Sequence, residues 1–201
     1  MASIITRRID IPRIRYLRVA KTCTSAIVAV ILSVAGVAGG WALYLRATGN
    51  VHAVTQGVAY RSAQLDTDQF VEIIKDFHIK SVINLRGDNA GEDWYTKELD
   101  VAAKHGVIHY DVGMSAKQEP DEETVARLLA IMKTAPRPFL IHCYGGADRS
   151  GLASALYKRF IERQPVAEAA KQLSFSYGHF PWLGSGTAAM DQTFSRLTLG
   201  D

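Results

Sequence analysis

Polar and apolar positions divide the chain into two parts with different patterns. From Thr22 to Leu45 runs a stretch of 24 residues without a charged side chain, TCTSAIVAVILSVAGVAGGWALYL. It is apolar all round, so it has no polar side to leave in water while packing on a core. About 20 helical residues cross a bilayer, and this run is long enough. Beyond it, short apolar strands alternate with amphipathic helices. Asp66-Thr67-Asp68 reads as a helix start before Phe70, Ile73, Ile74 and Phe77, which recur on one helix face. Glu92 to His105 reads as a second helix, with Gly106 at its C-terminal cap. Pro120-Asp121 opens a third, whose inner face is Val125, Leu128, Leu129 and Met132, and Pro136 and Pro138 close it. Leu152, Ala155, Leu156 and Phe160 mark a fourth, and two more are expected near Val166–Leu173 and Thr187–Leu197. Between them Val58–Tyr60, Ser81–Leu85, Val107–Tyr110 and Phe139–Ile141 read as strands.

Strands separated by helices of about a dozen residues imply βαβ units. The expected fold class is α/β, with a central, mostly parallel sheet flanked by helices, plus one N-terminal transmembrane helix. The organisation is a basic tail over 1–21, an anchor over 22–45, a polar connector over 46–57 and a globular domain over 58–201.

Charge sharpens this division. Residues 1–50 carry seven Lys/Arg and one acid, whereas residues 51–201 carry sixteen Lys/Arg and nineteen acids. The basicity therefore belongs to the tail, and nothing points to a nucleic-acid partner. Arg7, Arg8, Arg13, Arg15, Arg18 and Lys21 precede the apolar run, and only Arg46 follows it closely. The positive-inside rule then places the N-terminus in the cytoplasm and the domain on the opposite face, which is periplasmic in a Gram-negative envelope. A cleaved signal peptide would share the basic start, but its apolar region is about 7–15 residues. A connector of a dozen residues reaches at most about 40 Å, which keeps the domain near the membrane and raises its effective concentration on local substrates. Two cysteines, Cys23 and Cys143, make no disulfide framework.

The chemistry is concentrated in His142-Cys143-Tyr144-Gly145-Gly146-Ala147-Asp148-Arg149-Ser150-Gly151, between a buried strand and a helix. In open α/β sheets, ligands bind at the carboxyl ends of strands. A glycine-rich turn there aims backbone N–H groups inward, and the helix N-terminus adds its dipole. The amides from Tyr144 to Arg149 would then line an anion nest. Arg149 adds a planar fork that grips two oxygens of one phosphate. A thiolate at Cys143 is favoured in that field, so the residues read as a nucleophile beneath a bound phosphate.

The segment resembles the HCxxGxxR[S/T] signature of cysteine-dependent protein tyrosine and dual-specificity phosphatases. Tyr60-Arg61-Ser62-Ala63-Gln64, Ile83-Asn84-Leu85-Arg86 and Tyr177-Gly178-His179-Phe180 look like a bacterial branch of compact dual-specificity-like enzymes. The resemblance implies that Cys143 forms a phosphocysteine and Arg149 stabilises the transition state. Ser150 would help the thiolate leave, His142 would orient the loop, and Gly146 would supply its backbone turn. It also implies a general acid on a loop roughly thirty residues before the cysteine. Asp111, 32 positions before Cys143, is the first candidate. Asp148 is the alternative, because some related phosphatases carry an Asp immediately before the loop arginine. Asp121 reads as part of a helix first turn instead.

Neither a metal nor another cofactor is implied, since a His–Cys zinc site would need two further ligands. His105 and His109 straddle a helix–strand junction and read as surface or strand residues. Arg61 and Arg86 read as structural, and Trp94 and Trp182 as packing residues. The expected function is a membrane-tethered phosphomonoesterase acting on phosphotyrosine proteins or, alternatively, on a phosphorylated envelope lipid such as a lipid A-type glycolipid. A catalytically silent phosphate-binding adaptor is the contrasting class, and it would usually lack the Cys, the Arg or the acid.

Overall fold

A computed structural model of the chain describes residues 13–182 and 184–199; the first twelve residues of the basic tail lie outside these. The chain forms two compact units that meet after Trp41. Helix α1 spans Arg13–Ala47, and from Thr24 onward its mean hydropathy is 2.2, apolar and long enough to cross a bilayer.

The second unit is built on five short strands: β1 (His52–Thr55), β2 (Ala59–Ser62), β3 (Ser81–Asn84), β4 (Ile108–Asp111) and β5 (Phe139–His142). Their order is β1-β2-β5-β3-β4, with β1 antiparallel to β2 and the other pairs parallel. Helices α2 (Thr67–Asp76) and α3 (Asp93–Lys104) cover one face of the sheet. On the other lie α4 (Glu122–Thr134), α5 (Asp148–Leu156), α6 (Val166–Ala170) and α7 (Ala188–Thr198).

Side chains alternate between the faces with the strand period of two. Tyr60, Val82 and Leu140 pack against Phe70 and Ile74 of α2 and Val101 of α3. Ala59, Ile83, Phe139 and Ile141 pack against Leu128 and Met132 of α4, Leu152 and Leu156 of α5, and Met190 and Phe194 of α7. The central strand β5 is buried on both faces, which is why it reads as an unbroken apolar run. Register then sets the site. Ser62, His142 and Asn84 stand side by side at the carboxyl ends of β2, β5 and β3.

Two expectations need correction. The stretch 46–57 is not a free connector, because Asn50 is 1% exposed and β1 lies within it as an edge strand. Phe160 does not continue the inner face of α5. The helix opens into a wider π-helical turn at Tyr157–Ile161, which changes the phase of its side chains. Tyr157 takes the core position against Phe139, and Phe160 is 38% exposed.

Candidate active site

Residues 143–147 carry the chain from β5 into α5, and four successive carbonyls of this passage are bonded from outside. Tyr144 O accepts the Gln64 N–H at 3.2 Å. Gly145 O accepts the Asn50 side-chain amide at 2.9 Å. Gly146 O and Ala147 O both accept from Arg61 Nη2 at 2.9 Å. In a trans peptide the carbonyl and the following N–H point in opposite directions. Drawing these carbonyls outward turns the N–H groups of Gly145, Gly146, Ala147 and Asp148 toward the hollow of the loop. Asp148 is also the first residue of α5, so the helix dipole acts in the same direction. Gly146 has φ +68°, and a β-carbon there would stand 2.5 Å from Ala63 N and 2.7 Å from the Ser62 carbonyl carbon. Only glycine fits against the end of β2.

Arg61 organises this wall from beneath. Its side chain is fully buried, with Nη1 donating to Gln172 O at 2.7 Å and Gln172 Oε1 at 3.1 Å. Its guanidinium lies over the Tyr177 ring at 4.3 Å. Burial pulls its pKa down to about 10, opposed by the negative potentials of Cys143, Tyr177 and Asp148, so it stays cationic at neutral pH. Its partners are backbone carbonyls and a side-chain amide. Arg86 lies 3.8 Å over Trp94 and donates to Gln64 Oε1 at 3.2 Å. Burial, then the charge of Arg149, push its pKa down. Arg46 stacks on the half-exposed Tyr144 at 4.5 Å and donates to its hydroxyl.

Cys143 is a buried free thiol at the base of the loop. Arg149 Nη1 donates to Leu85 O and Met114 O, both at 3.2 Å, while its buried Nε has no partner among the described residues. An unsatisfied buried N–H is costly, and an oxyanion in the hollow would satisfy it. Ser150 is buried, with its hydroxyl 3.4 Å from Ser62 O. His142 turns Nε2 to Glu98 Oε1 at 3.0 Å, and His109 Nε2 approaches the same oxygen at 2.8 Å. Glu98 Oε2 accepts from Gln64 Nε2 at 2.9 Å. Burial alone would raise the Glu98 pKa, but His142 and the bonds from His109 and His142 take it far below the usual carboxylate range. Donor atoms of Glu98, His109 and His142 lie within 4.8 Å of one another, as a metal would need. Both rings already meet one carboxylate oxygen at hydrogen-bond distance, which accounts for the grouping. His109, a residue of strand β4, is thereby tied into this network.

The acid candidates sit in different settings. Asp111 ends β4, with Oδ1 accepting from Asn84 Nδ2 at 2.8 Å and Oδ2 from the Tyr95 hydroxyl at 2.5 Å. Burial and the bond to Asp111 raise the Tyr95 pKa, keeping its hydroxyl a donor. Asp121 caps α4 by accepting the Thr124 N–H at 2.7 Å. Asp148 Oδ1 lies 2.7 Å from His179 Nδ1, and Oδ2 has no bond from the described residues. Sequence reasoning missed Asn50, Glu98 and Asp191 and gave His179 no role. Glu98 did leave a signal: it shares a helix face with buried Tyr95, Val101 and Ala102.

The strand–loop–helix with an anion hollow over a thiol defines a cysteine-dependent phosphatase. A family model described as "DSP-PTPase phosphatase fused to NAD+ Kinase" matches residues 43–183, and the chain belongs to that phosphatase family. A search of curated proteins finds no match. Among solved structures, the chain is similar to the catalytic core of the PP-IP phosphatase SIW14 from S. cerevisiae. That match has TM-score 0.58 and 20% identity over 72% of this chain and 85% of that one. P. aeruginosa TpbA in complex with pTyr gives TM-score 0.56 and 19% identity over 73% and 83%. A putative phosphatase from Shewanella putrefaciens gives TM-score 0.54 and 17% identity over 74% and 88%.

Two outcomes follow from the wall of the site. Arg61→Met strands several buried acceptors, and is expected to cost about 3–5 kcal/mol in urea melts and to abolish turnover. Glu98→Ala is expected to cost about 2–4 kcal/mol at neutral pH. Because folding lowers the Glu98 pKa, its contribution is full above about pH 4.3 and fades as pH falls toward the folded value. The difference between wild type and variant should therefore shrink in melts at about pH 3.

Proposed function

We propose that the chain hydrolyses phosphomonoesters through a phosphocysteine at Cys143 and does so at a bilayer surface. The carrying observation is the set of outward-bonded carbonyls, which leaves the loop amides facing the hollow above Cys143 and beside Arg149. Sγ attacks phosphorus while the amides of 144–149 and the Arg149 fork hold the nonbridging oxygens. His142 braces the loop through Glu98, and Ser150 eases the departure of the thiolate in the second step. Asp148 serves as the acid in this reading. Asp111 suits the role less well, since both its oxygens already accept hydrogen bonds, from Asn84 and Tyr95, whereas Asp148 Oδ2 has no bond from the described residues.

The substrate reading rests on where α1 ends. Leu45 is 4% exposed within the second unit, and Arg46 stacks on Tyr144, the residue after the nucleophile. Trp41 lies five residues earlier, so its backbone is within about 18 Å of that of Arg46 even with the chain fully extended. An anchored helix would thus keep the domain close to the bilayer, and a phosphorylated lipid is the favoured substrate. The basic tail supports placing the domain on the face opposite the cytoplasm. Phosphotyrosine proteins are the second reading, favoured by the likeness to TpbA, which was solved with pTyr. Cys143 and Arg149 together speak against a silent adaptor.

The test uses the full chain in vesicles. Cys143→Ser is expected to lower p-nitrophenyl phosphate turnover at least about a thousandfold while the protein still binds phosphate. Full activity in that variant would remove the proposed nucleophile. Phosphate release from vesicles containing phosphatidic acid should exceed release from a soluble phosphotyrosine peptide by about tenfold or more. The opposite ranking would favour the phosphoprotein reading.

A further inference from the structure

His179 is fully buried, yet a carboxylate meets each of its ring nitrogens. Nδ1 lies 2.7 Å from Asp148 Oδ1 in the catalytic loop, and Nε2 lies 2.8 Å from Asp191 Oδ2 in the first turn of α7. A neutral imidazole has one N–H, so it can donate to only one of them. Both contacts are satisfied together by an imidazolium between two carboxylates. Burial opposes that charge, but the bonds to Asp148 and Asp191 outweigh it, and the pKa lies above the ordinary imidazole value. The charged groups facing the ring are Asp148 from α5 and Asp191 from α7. Arg61 of β2 exerts its own charge on Asp148. The ring's backbone is fixed too: the His179 N–H bonds to Ser174 O at 3.2 Å, and Gly178 before it turns with φ +83°.

We propose that His179, kept cationic by Asp191, is a positioning residue for the acid of the reaction, fixing Asp148 Oδ1 and stabilising its carboxylate as the proton leaves. This rests on the Asp148 reading above. In the first step the S–P bond forms and the bond from phosphorus to the leaving oxygen breaks. The oxygen keeps the electron pair and takes the proton from Asp148 Oδ2, leaving a carboxylate bonded to the His179 imidazolium. In the second step water attacks the phosphocysteine, and Asp148 takes a water proton. Sulfur leaves with the S–P electrons, which restores both the thiolate and the protonated acid. The ring of His179 keeps its two protons throughout, and Asp191, partly exposed on the far side, keeps them there.

The experiment is the pH profile of kcat/KM for the full chain on two substrates. Phenyl phosphate has a basic leaving oxygen that needs the acid, whereas p-nitrophenyl phosphate needs it far less. Asp148→Asn is expected to lose about a hundredfold on the first and much less on the second. His179→Gln and Asp191→Asn take away the positive charge bonded to Asp148 Oδ1. In His179→Gln and Asp191→Asn, the alkaline limb for phenyl phosphate should therefore move up by about one pH unit. Asp191→Glu should restore it. A limb that stays in place in both variants, whatever the loss in rate, overturns the positioning role while leaving the acid assignment intact. Full phenyl phosphate activity in Asp148→Asn overturns the acid assignment and this inference with it. Should His179→Gln fail to fold by circular dichroism, the Asp191→Asn profile decides alone.

Discussion

The guanidinium of Arg61 is the constraint on which the site depends. A cation with no exposed surface is expensive unless its donors are matched, and here Nη1 and Nη2 reach three backbone carbonyls and an amide oxygen from two separate segments, while Nε has no partner among the described residues. Two of those carbonyls belong to the signature loop and one follows α6. The arginine therefore sets which way the loop peptides face while locking the loop to the helical layer behind it. Its positive charge also acts on Cys143 and Asp148.

Around that centre the polar network divides its work by side. On the α3 side, Glu98 gathers His142, His109 and Gln64, so the residue before the thiol and the strut to Tyr144 O share one anchor. On the α7 side, His179 joins Asp148 to Asp191. The loop is thus braced from both faces of the sheet by buried charge-assisted bonds. Bonds of this kind define one geometry sharply, because an alternative arrangement would leave a buried charge unpaired.

Much of this architecture was legible in the sequence because it rests on local periodicity. The stripes of α2 and α4, the unbroken apolar run of β5 and the helix start near Asp121 all follow from local pattern. Edge strand β1 was not legible, being four residues of mixed character between Gly49 and Gly57 whose pairing depends on β2. Phe160 followed the helical pattern, but the π-helical turn broke its phase, and no local signal announced that turn. The signature loop could be read directly. Its supports could not, since Asn50, Glu98 and Asp191 lie between 45 and 93 positions from Cys143 and are brought to the loop only by the fold. The family resemblance put Asp111 ahead of Asp148, and the hydrogen bonds that distinguish the two carboxylates join residues 16 to 31 positions apart.

Asn50 gives the end of α1 a consequence for anyone seeking a truncated, freely diffusing enzyme. Its side-chain amide bridges Gly145 O and Tyr177 O, and Gly49 O accepts the Ala63 N–H at 2.7 Å. Cutting the chain at residue 57, where the sequence pattern suggests a linker ends, would delete a sheet strand and one of the pins on the loop. The result would be a protein that still contains its cysteine and arginine but has lost the backbone direction that makes them useful. The compact unit that holds the site begins at Ala42, inside α1 itself, so a fragment that keeps these contacts also keeps the last turns of that helix.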